Sequence, residues 1–151
     1  AEELFEEGFV CVMRTGHPLA GRPLTVARFA TANHMLIAPR GLRGTYSDTA
    51  LEKLGMSRRV MLGVPHFLVV PHLVARSDLI ATLAERVAHA FAETHGLVLT
   101  KSPFPLERFV MSQIWHARHD SDEGHAWLRR MFREVAEQTA ASPSKRRPKK
   151  R

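Results

Sequence analysis

The chain has 151 residues, enough to enclose a core, and its 44% apolar and 25% charged composition excludes a disordered, collagen-like or disulfide-scaffold protein. A single cysteine, Cys11, cannot form an internal disulfide, and no apolar run reaches the length of a membrane span, so a cytoplasmic protein without a membrane partner is expected. The net charge of +7 reports the tail rather than a basic face: residues 144–151 carry six Lys and Arg, and without them 16 basic residues stand against 15 acidic ones.

The chain enters on an acidic stretch that is neither a signal nor a transit peptide and runs straight into a strand. Residues 8–14, Gly-Phe-Val-Cys-Val-Met-Arg, form a continuous apolar run with β-branched members and read as a buried strand in which Cys11 is a small core residue. Residues 16–23, with two glycines and two prolines, read as a turn-rich connection. A short helix over 26–31 and a short strand over 34–38 follow. Residues 39–45 are loop-like and lead into Thr45-Tyr-Ser-Asp48, a hydroxyl followed three residues later by an acid, which is a helix-start signature. Leu51 and Leu54 share a face of that helix, and Gly55 supplies its stop.

Residues 59–64 read as a strand. The run 65–75 is ambiguous because Pro71 breaks an interior helical ladder: a helix either starts near His66 and kinks, or starts at Pro71. Residues 79–83 read as a strand, 85–94 as a helix closed by His95-Gly96, and 97–100 as a strand. A second rigid connector, Ser102-Pro-Phe-Pro105, leads to a strand over 108–117. Asp120-Ser-Asp-Glu123 caps a last helix, with Leu128, Met131, Phe132 and Val135 forming an amphipathic stripe. Ordered structure is expected to end near Thr139, and the basic tail, 140–151, to be disordered.

The alternation of strands and helices implies an α/β layer structure. The two Pro-rich connectors bracket residues 24–101, a pattern that suits an inserted subdomain with a ligand cleft beside it, lined by loops that end strands and open helices. The strands at 8–14 and 108–117 are expected outside that lobe. There is no P-loop, no G-x-S-x-G, no G-x-G-x-x-G and no cysteine pair. His116, His119 and His125 are a tempting metal cluster, but alternation along a strand sends the first two to opposite faces, so no metal site is expected. No cofactor is expected either, and no serine has the context of a nucleophile, so the chain reads as a non-enzyme.

Residues 9–20, an apolar strand running into His-Pro-Leu, resemble the hinge strand of LysR-type effector domains. Residues 39–55 resemble the loop and helix that follow it. Residues 73–83, Leu-Val-Ala-Arg-Ser-Asp-Leu-Ile-Ala-Thr-Leu, resemble the return into a strand. Residues 109–118 with Trp115-His116, and then Trp127-Leu-Arg129, resemble the closing strand and helix. The likeness covers most of residues 4–136, in the branch that includes the nodulation regulators. Ala84 departs from it, standing where many relatives have proline, and the winged helix-turn-helix, the linker helix and the first half of one lobe have no counterpart here.

The resemblance implies a periplasmic-binding-protein-like (type II) fold of two α/β lobes, one complete and the other partial. Residues 1–23 and 102–139 would belong to the partial lobe and its hinges, and residues 24–101 to the inserted lobe. It implies an effector-binding, ligand-sensing region of a bacterial transcriptional regulator that acts as a homo-oligomer and meets DNA through an N-terminal part missing from this chain. The expected effector is a small aromatic or carboxylate compound. Its expected contacts are Gly44 and Thr45 at a helix entry, His66 and Phe67 at the next strand-to-helix loop, and Trp115 beside the hinge; the competing role for each is capping or core packing. A stand-alone solute-binding module of the same fold, with no role in transcription, is the alternative.

Overall fold

The computed structural model describes residues 1–38 and 45–140. Gly44 and the basic tail from residue 141 therefore lie outside the described residues. Two compact units are present: Gly8–Glu107, and a smaller one made of Ala1–Glu7 with the chain from Arg108 onward.

In the larger unit the elements are β2 (Phe9–Arg14), α1 (Val26–Thr31), β3 (Asn33–Ile37), α2 (Tyr46–Glu52), β4 (Arg59–Val64), a 3-10 turn (Phe67–Val69) continuing into α3 (Val70–Val74), β5 (Leu79–Ala84), α4 (Glu85–His95) and β6 (Leu97–Thr100). Five strands form one sheet in the order β4-β3-β5-β2-β6, with β3 parallel to β4 and β5, and β2 antiparallel to both of its neighbours.

The strand at 8–14 is therefore not outside the lobe, as expected, but second from its edge. The physical reason is that β2 is apolar on both faces. Val10 and Val12 pack with Met35, Val70, Val74, Leu83 and Ala88 on one side, while Cys11 and Met13 pack with Phe29, Leu51, Ile80 and Phe104 on the other. A strand of this kind needs helical cover on both faces, which the larger unit provides. The Pro-rich connectors are likewise interior to the unit. Phe104 is buried edge-on against Phe29 at 5.0 Å between ring centroids, so the 102–105 connector contributes a core residue to this unit. The unit boundaries fall instead at Glu7/Gly8 and Glu107/Arg108.

Local signals hold where they are strong. Thr45 N–H and hydroxyl both donate to Asp48 Oδ2 at 2.8 Å, so the helix-start pair closes on itself. Gly96 ends α4 at φ 60°, a left-handed conformation that glycine reaches without steric cost. Pro71 sits in the first turn of α3, where its missing N–H breaks no ladder; the 3-10 turn before it absorbs the change of direction.

The smaller unit pairs β1 (Glu2–Glu7) with β7 (Phe109–Gln113), antiparallel, and packs α5 (Glu123–Ala140) on β1. The strand expected to run to 117 stops at Gln113. Trp115 Nε1 donates to Asp120 Oδ1 at 2.7 Å, and His116 Nδ1 accepts from the Arg118 N–H, which turns the chain into a 3-10 turn at Ala117–His119. Ion pairs of Glu2 with Arg133 and of Glu6 with Arg108 tie this unit together.

Most of the α5 stripe faces water: Leu128, Phe132 and Val135 are 44%, 55% and 58% exposed, as are Trp127 beside them and Val110 and Met111 on β7 to similar extents. An apolar surface of this kind on a two-stranded sheet recruits other chains. The isolated chain is expected to elute larger than a monomer and to scatter light in a concentration-dependent way, and Phe132→Glu with Val135→Glu should return it to monomer. A monodisperse wild-type monomer would refute this expectation.

Candidate functional site

The carboxyl edge of the parallel strands is where the helices diverge. The chain leaving β3 reaches α2, whose Leu51 packs on the Cys11/Met13 face of the sheet. The chains leaving β4 and β5 reach α3 and α4, whose Val70, Val74 and Ala88 pack on the opposite face. Connections that part to opposite faces around one strand leave a crevice at its carboxyl end, which is the usual ligand position in open α/β sheets. Because β3 lies between β4 and β5, the start of α2, the loop after β4 and the end of β5 gather at this edge of the sheet.

A buried polar network holds the α2 side of that crevice. The Arg58 side chain is only 2% exposed, and it grips Asp48 through two bonds, Nε to Oδ1 at 2.6 Å and Nη2 to Oδ2 at 3.1 Å. Its Nη2 also donates to Thr45 Oγ1 at 2.9 Å. Burial pushes the Asp48 carboxyl up, but the hydrogen bonds from Arg58 and Thr45 together with the Arg58 charge outweigh this and hold it below the usual carboxylate range. Next along α2, Ser47 is buried and its hydroxyl lies 3.3 Å from Thr82 Oγ1 on β5, which ties the helix to the strand. Tyr46 at the helix start pairs with Phe9 at 5.2 Å, and Phe9 opposes Ala84 in the sheet, so an aromatic pair stands at the same edge.

The expected site residues divide. Thr45 is at the crevice, but its N–H and hydroxyl are already committed to Asp48. His66 and Phe67 follow β4 on the same edge, with Phe67 46% exposed. Trp115 belongs to the smaller unit, where its N–H is bound to Asp120 and the Arg129 guanidinium sits 4.6 Å over its ring. Sequence reading missed Arg58, Ser47, Thr82 and the Phe9–Tyr46 pair. Arg58 has no signal beyond lying ten residues past Asp48 across a glycine turn. An open groove of about 540 Å³ runs between α2 and residues 104–107, lined by Tyr46, Thr49, Lys53, Leu54, Phe104 and Leu106 among others; none of the expected residues lines it.

Cys11 is fully buried, and burial pushes its thiol up to about 11 despite a hydrogen bond with Thr82, so it stays protonated at neutral pH and is a core residue. His119 and His125 stack at 5.0 Å, and the His125 Nδ1 lies 2.8 Å from Arg129 Nη1. Among the described residues no group of three or more His, Cys, Asp or Glu is arranged to hold a metal, and no helix is long and apolar enough to cross a membrane.

Residues 1–137 match the LysR substrate binding domain family. The chain belongs to that family. It is 34% identical over 129 residues to the HTH-type transcriptional activator NahR of Pseudomonas putida, covering 85% of this chain and 43% of that protein. It is 31% identical over 148 residues to Nodulation protein D 1 of Mesorhizobium japonicum, covering 97% of this chain and 47% of that one. Among solved structures, the regulatory domain of MexT, a transcriptional activator in Pseudomonas aeruginosa, matches with a TM-score of 0.77 and 28% identity over 88% of this chain and 65% of that one. The mixed α/β fold of this chain is thus that of LysR regulatory domains, which have the periplasmic-binding-protein-like type II fold. The chain spans under half the length of the curated relatives just named.

Proposed function

We propose that this chain is the effector-sensing region of a LysR-type transcriptional regulator. The observation that carries the reading is the family match over residues 1–137, on a sheet whose helices part at the carboxyl end of β3. In this reading the Gly8–Glu107 unit is the ligand lobe, and β1, β7 and α5 belong to the second lobe. The effector is a small molecule with an aromatic body and a carboxylate. Gly44 and Thr45 shape its entry, Phe67 and the Phe9–Tyr46 pair offer ring faces, and His66 offers a polar contact. Trp115 is a positioning residue of the second lobe. Arg58 is too deeply enclosed to touch a ligand, and with Asp48 it acts by fixing Thr45 and the start of α2.

The same reading assigns the whole regulator a homo-oligomeric state, a cytoplasmic location and DNA contact through its N-terminal part, with effector and DNA coupled through a change in subunit geometry. Its test is an NMR titration of the chain with aromatic monocarboxylates and their neutral amides. Expected shifts cluster at Thr45–Ser47, His66 and Phe67, with the acids binding more tightly than the amides, and Phe67→Ala weakens binding by roughly tenfold, the loss of one good aromatic contact. Shifts confined to other surfaces, or binding indifferent to Phe67→Ala, would count against this site. Any DNA affinity of the chain itself is expected from Lys145–Arg151 alone and should fall steeply with salt.

A further inference from the structure

On the sheet face opposite α2, helices α3 and α4 bring two imidazoles together. His95 Nε2 lies 3.0 Å from His72 Nδ1, with the rings nearly perpendicular and their centroids 4.4 Å apart. Phe91 packs against both, at 5.3 Å from His95 and 6.4 Å from His72, and so backs the pair with an apolar wall. The other nitrogen of His95 is also held: its Nδ1 lies 2.9 Å from Thr94 Oγ1, which itself lies 3.3 Å from the Phe91 carbonyl. With the hydroxyl proton directed to that carbonyl, His95 carries its ring proton on Nδ1 and donates it to Thr94. The Nε2 lone pair then points out of the helix toward His72. A histidine anchored through one nitrogen by a neighbouring oxygen, with the other nitrogen free to donate electrons, is the arrangement found at metal centres.

The ligand type, two imidazoles and water, narrows the class of ion. Metal–imidazole bonds are about 2.0–2.1 Å long. Two of them at the tetrahedral angle place the nitrogens about 3.3–3.4 Å apart, whereas two in cis positions of a tetragonal or octahedral ion place them about 2.9 Å apart. The observed 3.0 Å is the length of the hydrogen bond that now joins the two rings, close enough that a small rotation of either ring lets both nitrogens reach one cation. Tetragonal nitrogen and oxygen coordination is the preference of Cu²⁺ and Ni²⁺, and Cu²⁺ stands highest in the general affinity order.

We propose that His72 and His95 form a two-ligand site for a divalent transition-metal cation of the Cu²⁺ class. On binding, His72 keeps one ring proton but moves it from Nδ1 to Nε2, so both facing nitrogens donate to the metal. Among the described residues no third His, Cys, Asp or Glu completes a ligand group, so water fills the remaining positions. His72 is exposed and His95 half-buried, which leaves the outer side open to those waters. The ion links α3 to α4, and α3 follows directly on the loop that carries His66 and Phe67.

The test is a titration of the full chain with Cu²⁺ followed by electron paramagnetic resonance, with pulsed measurements to count coupled imidazoles. One Cu²⁺ per chain coupled to two imidazoles is expected, together with a rise in melting temperature. His72→Gln and His95→Gln should each weaken binding on the order of tenfold or more and leave one coupled imidazole; Thr94→Val should weaken it roughly tenfold through loss of the orienting contact. His119→Gln with His125→Gln should change nothing. A wild-type spectrum with fewer than two coupled imidazoles overturns the site whether or not the variants fold. So does wild-type affinity in both well-folded single variants, or loss of the signal in the His119/His125 pair.

Discussion

Asp48→Ala is expected to destabilise the Gly8–Glu107 unit by about 3–5 kcal/mol, the usual cost of leaving a buried charge without its partner. The charge left behind is that of Arg58, whose side chain is 2% exposed and whose only carboxylate partner among the described residues is Asp48. Arg58→Ala should cost less, because Asp48 is 21% exposed and keeps the Thr45 N–H and hydroxyl as donors. Replacing both partners together, Arg58→Met with Asp48→Leu, should recover much of the loss, since apolar substitutes of similar volume avoid the desolvation cost. Urea unfolding of the four proteins measures this series. A loss under about 1 kcal/mol for Asp48→Ala would mean that Arg58 reaches water when released, as exposed pairs do. The series also bears on function: if the pair fixes the start of α2, the double variant should fold well yet lose effector-dependent shifts at Thr45–Ser47.

Where the sequence was legible, one element carried its own signal. Thr45 to Asp48 closes a helix start with only two intervening residues, and β4 is a short run whose ends are set by neighbouring turn residues. The two Pro-rich connectors misled because proline reports local rigidity and says nothing of burial; Phe104, between two prolines, lies in the core. The β2 strand was readable as buried on both sides, yet its place in the sheet depends on partners about 70 and 85 residues onward, β5 and β6, which no local pattern encodes. The acidic β1 reads as surface, and only pairing with β7, more than 100 residues away, makes it a strand. The same limit hid the Arg58 network and the His72–His95 pair. Each joins residues on different elements, and in each the decisive fact is a side-chain direction rather than a spacing.

His34 predicts the pH response of the larger unit. Its ring is fully buried, packed 4.3 Å from Phe29, with Nε2 2.6 Å from the Phe29 carbonyl oxygen and Nδ1 left without a hydrogen-bond partner. The neutral tautomer therefore carries its proton on Nε2 and donates it to that carbonyl. A second proton, on Nδ1, would place a cation in the core facing no acceptor. Burial thus lowers the His34 pKa to about 4, with the Arg58 charge adding to the effect and the Phe29 bond and Asp48 opposing it. Above the unfolded value of about 6.5 both states are neutral at this position and it contributes no pH dependence. As pH falls from there toward 4, the unfolded chain takes up a proton that the folded chain refuses, and stability declines by roughly 3 kcal/mol in all, at about 1.4 kcal/mol per unit of displacement. Below pH 4 the folded state protonates as well and this source of loss levels off, while Asp48 loses its own contribution as pH falls from the ordinary carboxylate value toward its lower folded one. His34→Gln, which keeps an N–H for the Phe29 carbonyl but cannot take up a proton, should flatten the decline between pH 6.5 and 4 by about that 3 kcal/mol relative to wild type, whatever its own constant cost. Urea midpoints measured at half-unit intervals across that window give the two slopes. Parallel slopes for wild type and His34→Gln would show that His34 is protonated in the folded chain and that the buried-neutral assignment is wrong.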